Sequence, residues 1–359
     1  MKKKTWLGVM FLVVFCLAIK ASYGDAYQFE RSWGNKGEEN GQFDKIIGVA
    51  LDPAGKILVG DSFKIQAFDQ NGNFIAKVYE GELRGFTVAN NKLHVADWCK
   101  TKVLSLNGQT ETEFGTIGEH EGQFNIPGGI AVDPSGCIYV SEPGDDPANP
   151  KLNHRIQKFS ADGTYVKQWG SFGRGEDQIY HPLFLAVHPS GVLFVNDESA
   201  IKKYSLEGEL IGVIRQVKVA NKANRFVARG ITFDHQGNLF IADKGSLGGI
   251  YRTDENGDNG IKFGGYGEGD GQFASAGPQG IAVDSVGNVY VGDPGHYKVH
   301  KYRPASLATT PALTKGTESP GILKDLQKLI KPFTTKDKQK KITVKSPAPT
   351  VNDLPSGLY

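Results

Sequence analysis

Short apolar runs rich in β-branched and aromatic residues recur along the chain, and turn sequences containing glycine separate them. In one stretch Ile130 and Val132 precede the sequence Asp-Pro-Ser-Gly, and Ile138 and Val140 follow it. Asp, Pro and Gly in this order are typical of a tight turn, so the stretch predicts two strands joined as a hairpin. A nearly identical phrase returns at 280–293. The chain is therefore expected to consist of repeated units.

The units can be counted by an acidic residue that ends the second strand of each. Six such acids occur, at spacings of 36, 45, 55, 46 and 50 residues. They are Asp61, Asp97, Glu142, Asp197, Asp243 and Asp293. A third strand follows each acid, and a fourth usually follows a glycine turn. Four strands in a period of about 40–50 residues are typical of a propeller blade. The sequence thus predicts an all-β, six-bladed β-propeller of four-stranded antiparallel blades over 25–303.

The two ends of the repeat array predict how the ring closes. The last unit stops after its third strand at Tyr302, whereas the segment 29–34 ends in Trp-Gly, as the fourth strand does at Trp169-Gly170. We expect the N-terminal strand to complete the sixth blade, which would leave no open strand edge in the ring.

The repeat resembles the NHL-repeat family. The residues that carry this resemblance are Gly122-Gln123-Phe124, the phrase 129–133, Tyr139-Val140 and the strand 155–159. The resemblance covers about residues 27–303 and recurs six times. It implies a six-bladed propeller, and it does not imply a particular function.

The segments before and after the array have a different composition. Residues 1–24 contain a basic start, an apolar core over 6–19 and small residues near the end, which predicts a signal peptide cleaved before Asp25. The protein is then expected to be exported to a periplasmic, extracellular or outer cell-surface location. The alternative is an uncleaved membrane anchor.

Residues 304–359 are expected to form a linker, a short basic amphipathic helix over 320–333 and a disordered tail. The functional interpretation of the helix is peripheral contact with a membrane or with a partner. The alternatives are a helix packed on the propeller wall and a marginal helix within a disordered tail.

Charge narrows the class of partner. Residues 1–24 carry four lysines and no acid, and 304–359 carry nine lysines against four acids, so the formal charge of +2 leaves −7 on the body 25–303. An acidic body argues against nucleic acid as the partner. We expect a monomer.

Ligands of propellers usually bind at the mouth of the central channel, where loops from all the blades converge. The residue just before each inner strand should lie on the rim of this mouth. The six rim residues are Ile47, Arg84, Gly128, Leu183, Arg229 and Gln279. Arg84 and Arg229 belong to blades 2 and 5, so two guanidinium groups would face each other and suit a carboxylate or phosphate. The alternative is that each pairs with the acid of its own blade.

The acids themselves allow two interpretations. They would form an anionic ring, or each would accept backbone N–H groups of its own blade. Trp98, beside the acid of blade 2, would be either an exposed aromatic contact for a partner or part of the core or wall packing. The predicted ligand-binding residues are Arg84, Arg229, Gln279, Trp98, Asp97 and Asp243.

A cofactor is not expected, with one weak exception. The loop 142–154 is the longest exit loop, and Glu142, Asp145 and Asp146 offer oxygen ligands suited to calcium. Their spacing matches no known calcium loop, and a solvated loop is the alternative.

These observations favour an exported, non-enzymatic module that binds a protein, a glycan or a small anionic ligand at the mouth. One alternative is a metal-dependent lyase or hydrolase, since peptidyl-hydroxyglycine amidating lyases resemble this repeat and carry zinc histidines at the rim. Here Gly128 and Gln279 occupy that phrase, and the three histidines expected near the top face, His154, His181 and His296, lack zinc spacing. No catalytic residue is identified. The other alternative is a structural envelope protein held at the membrane.

The repeat register also places the two cysteines of the body. Cys99 falls on the top connection of blade 2 and Cys137 in the bottom turn of blade 3. Opposite faces lie beyond disulfide reach, so both are predicted to be unpaired.

Overall fold

The computed structural model describes residues 26–144, 153–176, 178–198, 200–246 and 248–305. The described residues form strands and turns. Among them there is no helix long and apolar enough to cross a membrane.

Several sequence-based predictions fall outside the described residues. They concern the signal peptide 1–24, the tail with its helix 320–333, and the calcium candidates Asp145 and Asp146. These calcium, tail and export assignments stay predictions.

The strands follow one another in blade order, and the first strand of the chain belongs to the last blade. β1 (Tyr27–Trp33) is followed by a short parallel pair, β2 (Asn35–Lys36) and β3 (Gln42–Phe43). Blade 1 contains β4 (Gly48–Leu51), β5 (Ile57–Gly60), β6 (Lys64–Phe68) and β7 (Phe74–Glu80). Blade 2 contains β8 (Gly85–Ala89), β9 (Lys92–Ala96), β10 (Thr101–Ser105) and β11 (Thr110–Phe114). A second parallel pair follows, β12 (Thr116–Ile117) and β13 (Gln123–Phe124).

The remaining four blades continue the same order. Blade 3 contains β14 (Ile130–Val132), β15 (Ile138–Glu142), β16 (Arg155–Phe159) and β17 (Tyr165–Trp169). Blade 4 contains β18 (Pro182–His188), β19 (Val192–Asp197), β20 (Ala200–Ser205) and β21 (Leu210–Ile214). A hairpin, β22 (Val217–Val219) and β23 (Lys222–Asn224), leads to blade 5, which contains β24 (Ala228–Phe233), β25 (Leu239–Asp243), β26 (Gly249–Thr253) and β27 (Ile261–Phe263). Blade 6 contains β28 (Gln279–Val283), β29 (Val289–Asp293) and β30 (Lys298–Pro304).

The predicted fold and its closure are both confirmed. Each of the six blades is a four-stranded antiparallel sheet, and the sixth has the order β1-β30-β29-β28. β1 pairs with β30 from Tyr27↔Pro304 to Trp33↔Val299, with an irregularity after Phe29. β1 is therefore the outer strand of blade 6, and the ring is closed by the pairing of the first and last strands of the described propeller.

The core consists of apolar clusters between neighbouring blades. Between blades 6 and 1, for example, Val59 and Phe68 pack with Tyr290 and Val299, and all four are at most 1% exposed. The second and third strands of blade 1 are covered on both faces, and the second strand, β5, accordingly reads as an apolar run. The inner strands line a central channel of about 470 Å³.

The repeated Gly-Gln-Phe phrase serves the fold. Its phenylalanine is buried between blades, as at Phe43, Phe124 and Phe273. Its glutamine side-chain oxygen accepts a hydrogen bond from the backbone N–H three residues earlier, as in the 3.1 Å contact from His120 to Gln123. The same contact occurs at Gln42, Gln178 and Gln272. The glutamine recurs in these four connections because each of them uses the same hydrogen bond.

In blade 2 the turn between the first and second strands is one residue shorter than the corresponding turn of blade 3, and the cause is conformational. Asn90 and Asn91 have φ angles of 51° and 60°. Two consecutive residues with positive φ make the two-residue hairpin turn whose twist matches the strands, and Asn is well suited to it. The missing residue in this blade is therefore a change of turn type.

Cys99 and Cys137 form no disulfide, as predicted. The backbone N–H of Cys99 donates to Asp97 on the top connection, and that of Cys137 donates to Asp133 in the bottom turn.

His94 of β9 gives blade 2 a pH-dependent weakness. It is 4% exposed, and the corresponding residues of the other blades are Leu58, Tyr139, Phe194, Phe240 and Tyr290. Burial lowers the pKa of His94 from 6.5 to about 4. The His94 side chain takes up a proton near pH 6.5 in the unfolded chain and only near pH 4 in the folded chain. The free energy of unfolding therefore decreases as the pH is lowered from about 6.5 to about 4.

When the pH is lowered from 7 to 5, we expect the free energy of unfolding of the wild type to decrease by about 2 kcal/mol more than that of His94→Phe. This value follows from a loss of about 1.4 kcal/mol for each pH unit below the pKa of histidine in the unfolded chain. Urea denaturation of both proteins at the two pH values measures the difference. All other titrating groups are shared, and equal losses in the two proteins would contradict the assignment.

Candidate ligand-binding site

A cavity of about 930 Å³ opens on the face where the second strands of the blades end. Its lining includes all six rim positions: Ile47, Arg84, Gly128, Leu183, Arg229 and Gln279. They come together because each lies within two residues of the start of the inner strand of its blade. This cavity is the mouth of the channel.

Basic side chains outnumber acids in the lining of the mouth. The charged lining residues are Lys45, Arg84, Arg229 and Lys244, against Asp44 and Glu82. Sequence reasoning missed the two lysines. Lys244 directly follows the acid of blade 5 and Lys45 lies two residues before a rim position. Their positions could have identified them, because each lies in a loop close to a rim residue or to an acid that ends a second strand.

Arg84 is exposed, and its guanidinium carbon lies 4.7 Å from the centre of the Trp98 ring. Such stacking holds the cation in place without neutralising it. Within the described residues the Arg84 guanidinium has no ion pair, because Asp97 pairs with Lys102 at 2.8 Å. The alternative in which Arg84 pairs with Asp97 is wrong. Trp98, 41% exposed, supports Arg84 and does not itself line the mouth.

Arg229 is half-buried in β24 and likewise has no ion pair in the described part of the chain. Asp243, the acid that ends the second strand of the same blade, is 2% exposed. It accepts hydrogen bonds from the backbone N–H groups of Val227 and Gly245. The cation near Asp243 is Lys262, at 4.0 Å. The alternative in which Arg229 pairs with Asp243 is therefore also wrong.

The order of the inner strands places the two arginines on opposite sides of the ring. β8 packs between β4 and β14, whereas β24 packs between β18 and β28. Two blades thus separate Arg84 from Arg229 in either direction. Gln279, half-buried at the start of β28, adds an amide to the same rim.

The floor of the mouth is apolar. Ile47, Leu183 and Phe184 line both the mouth and the channel below it, so they mark the boundary between the two. Phe184 stands where the other five blades have glycine. Elsewhere the inner strands approach too closely for a side chain, since a Cβ on Gly85 would lie 2.2 Å from a backbone oxygen. Blade 4 alone places a bulky ring here, a departure visible in the sequence but not interpreted from it.

The six counted acids do not form an open anionic ring. Asp97 and Asp243 are absent from the lining of the mouth. Asp61, Asp97, Glu142, Asp197, Asp243 and Asp293 each accept backbone N–H groups of the loops around them. The structure therefore places Arg84, Arg229 and Gln279 in the lining of one mouth. Asp97 and Asp243 lie outside this lining and stabilise the loops of their own blades by accepting backbone hydrogen bonds.

Glu142 is a structural residue and not an exposed calcium ligand. It is fully buried, and one of its oxygens accepts the Nε–H of Arg155 at 2.6 Å. The other accepts the backbone N–H of Asn125 at 2.8 Å. The buried guanidinium of Arg155 already neutralises this carboxylate, which corrects the calcium prediction at this position.

The acid of blade 6 has different neighbours. Asp293 Oδ2 lies 2.8 Å from His296 Nδ1 and 3.3 Å from His300 Nε2. Burial raises the pKa of Asp293, but hydrogen bonds from His300 and from backbone N–H groups outweigh it and hold the pKa below its ordinary value. Sequence reasoning missed this group because it counted only histidines on the top connections. His300 lies on β30, next to Asp293 across the sheet.

No protein-family model matches the chain. The Brain tumor protein of Drosophila melanogaster is 28% identical over 142 residues, which are 36% of this chain and 12% of that protein. The chain therefore corresponds to a small part of that relative. Membership of the NHL-repeat family stays a prediction.

Solved structures of enzymes share the architecture. A streptogramin B lyase structure matches with a TM-score of 0.53 and 18% identity, over 78% of this chain and 98% of that one. A gluconolactonase from Xanthomonas campestris matches with a TM-score of 0.56 and 13% identity, over 77% and 99%. At such identities the likeness shows the propeller fold alone.

Proposed function

We propose that the protein is a non-enzymatic binding module that takes an acidic ligand at the mouth. The observation that carries this proposal is the pair of arginines on opposite sides of the rim, neither of which has an ion pair among the described residues. A guanidinium left without an internal carboxylate is suited to bind an external carboxylate or phosphate through two parallel hydrogen bonds.

The rest of the lining supports the same class of ligand. Lys45 and Lys244 add positive charge to the rim, although the body as a whole carries −7. A local positive field in a concave site attracts anions and raises their rate of association. The apolar floor of Ile47, Leu183 and Phe184 favours a ligand whose acidic group is attached to an apolar part. The acidic group would come from a protein segment, an acidic glycan or a small molecule.

A lyase-like or hydrolase-like activity is not part of the proposal. Gly128 and Gln279 stand at rim positions where the amidating lyases that the repeat resembles have zinc histidines. Two mouth arginines without ion pairs favour anion binding and supply no nucleophile or general base by themselves.

Export is proposed alongside, on the basis of the signal-like sequence 1–24. Contact of 320–333 with a membrane is a separate proposal and does not affect the role of the mouth.

The test compares two double variants that remove the same charge. Arg84→Gln/Arg229→Gln alters the mouth, and Arg215→Gln/Arg225→Gln removes two arginines that line a different surface pocket. Fluorescence anisotropy with fluorescein-labelled hexaglutamate at low salt measures the binding. We expect the mouth variant to bind at least about tenfold more weakly than the wild type, since charge-assisted hydrogen bonds contribute about 1.5–3 kcal/mol each.

The control variant should bind like the wild type apart from a small loss from net charge. Equal weakening in both variants would show that the probe senses overall charge, and would overturn the mouth as the site. Absence of binding by the wild type would also overturn it.

A further inference from the structure

Five of the six counted acids have a basic side chain beside them. The pairs are Asp61–Lys64 at 3.9 Å, Asp97–Lys102 at 2.8 Å, Glu142–Arg155 at 2.6 Å, Asp197–Lys202 at 3.5 Å and Asp243–Lys262 at 4.0 Å. Asp293 of blade 6 is fully buried, and among the described residues neither a lysine nor an arginine pairs with it. Two imidazoles stand where the other blades have an ammonium or guanidinium group, and the other partners of the Asp293 carboxylate are the backbone N–H groups of Ala274, Gly295 and His296.

The geometry of the three side chains is that of metal ligands. One ligand atom from each of Asp293, His296 and His300 lies within 4.8 Å of the other two. In a tetrahedral zinc site with bonds of about 2.0–2.1 Å, neighbouring ligand atoms are about 3.3 Å apart. The two distances from Asp293, 2.8 Å and 3.3 Å, are close to this value.

The other nitrogen of His296 supports the assignment. His296 Nε2 lies 3.0 Å from Glu268 Oε2. A metal-binding histidine commonly donates its second ring N–H to a carboxylate, which fixes the tautomer and orients the ring. Glu268 belongs to the loop that precedes blade 6 and reaches His296 from a different part of the chain, so it is an observation independent of the three ligand atoms.

We propose that Asp293, His296 and His300 bind one Zn²⁺ ion, with Glu268 orienting His296. Two imidazoles and one carboxylate suit zinc, and three protein ligands leave a fourth position for water. His296 is 20% exposed, and its neighbours Gly295 and Tyr297 line the mouth. The ion would thus lie at the edge of the mouth. This departs from the expectation, drawn from sequence, that the chain takes no cofactor.

The experiment uses the untagged full chain, stripped with a chelator and titrated with Zn²⁺ alone by calorimetry. His300→Gln introduces the residue that blades 1 and 3 carry at the same register, Gln66 and Gln157, so it should fold. His296→Gln removes the second ligand. Glu268→Gln changes only the orienting carboxylate. His120→Gln, in an exposed loop, is the matched control.

We expect the wild type and His120→Gln to bind one Zn²⁺ per chain. Glu268→Gln should bind about tenfold more weakly, as is usual when such a partner is lost. His296→Gln and His300→Gln should bind at least about a hundredfold more weakly, and zinc should raise the melting temperature of the wild type but not of these two. Absence of zinc binding by the wild type, or unchanged affinity in both histidine variants, would overturn the proposal. The hexaglutamate assay does not depend on this result.

Discussion

Arg155→Ala is expected to lower the free energy of unfolding by about 3–5 kcal/mol, the usual cost of removing one partner from a buried ion pair. Arg155 is 7% exposed, and its Nε–H donates to Glu142, which is fully buried. Its other hydrogen bonds go to the backbone oxygens of Glu119, His120 and Gln123 and to the side chain of Gln168. The variant would leave a charged carboxylate buried and would release the loop between blades 2 and 3.

Urea denaturation of Arg155→Ala and of Arg303→Ala makes the comparison. Arg303 is exposed on β30 and contacts only Gln28, at 3.2 Å, among the described residues. Its loss should cost no more than about 0.5 kcal/mol. Arg155→Met/Glu142→Met should be more stable than Arg155→Ala, because no uncompensated charge remains. A loss of less than about 1 kcal/mol in Arg155→Ala would show that the pair is not important for stability.

The repeat pattern was sufficient to predict the ring because each blade must bury the same strands in the same way. The acids at the ends of the second strands recur in all six blades, and the Gly-Gln-Phe phrase precedes three of them. The Trp33-Gly34 match marks the strand that closes the ring. Where one blade departs from the requirement, the prediction was less complete. After blade 4, β21 ends at Ile214 and the separate hairpin of β22 and β23 follows, which the repeat pattern did not predict.

The site was predictable only where the register alone decides the position. Arg84 and Arg229 precede inner strands, so counting repeats places them on the rim. Lys45 and Lys244 lie in loops whose paths depend on local hydrogen bonds, and periodicity gives no information about them. His300 was missed for a different reason. It reaches Asp293 across the antiparallel pair of β29 and β30, which requires comparing the same register position in all six blades.

The closing strand β1 holds three blades together. Within blade 6 it pairs with β30. Towards blade 5, the Tyr27 ring stacks on Phe263 at 4.4 Å. Towards blade 1, Trp33 packs on Phe68 with ring centres 6.1 Å apart. Loss of this strand would open the outer edge of blade 6 and expose apolar surface of both its neighbours.

Deletion of residues 26–34 is therefore expected to abolish cooperative unfolding. The lost pairing and aromatic burial are of the same order as the whole stability of a domain, about 5–15 kcal/mol. Circular dichroism during urea titration should show a broad, non-cooperative loss of structure. A sharp transition with a midpoint like that of the wild type would mean that blade 6 closes without β1.

A covalent closure tests the same idea in the opposite direction. Gln28 and Arg303 are exposed and directly opposite each other in the register of β1 and β30. In Gln28→Cys/Arg303→Cys, the oxidised form should be more stable than the reduced form by about 2–5 kcal/mol, since the bond closes nearly the whole ring in the unfolded chain. The reduced form of the same protein is the matched control. Equal midpoints for the two forms would show that separation of β1 from β30 does not limit stability, because a bond across that pair opposes the opening of the ring.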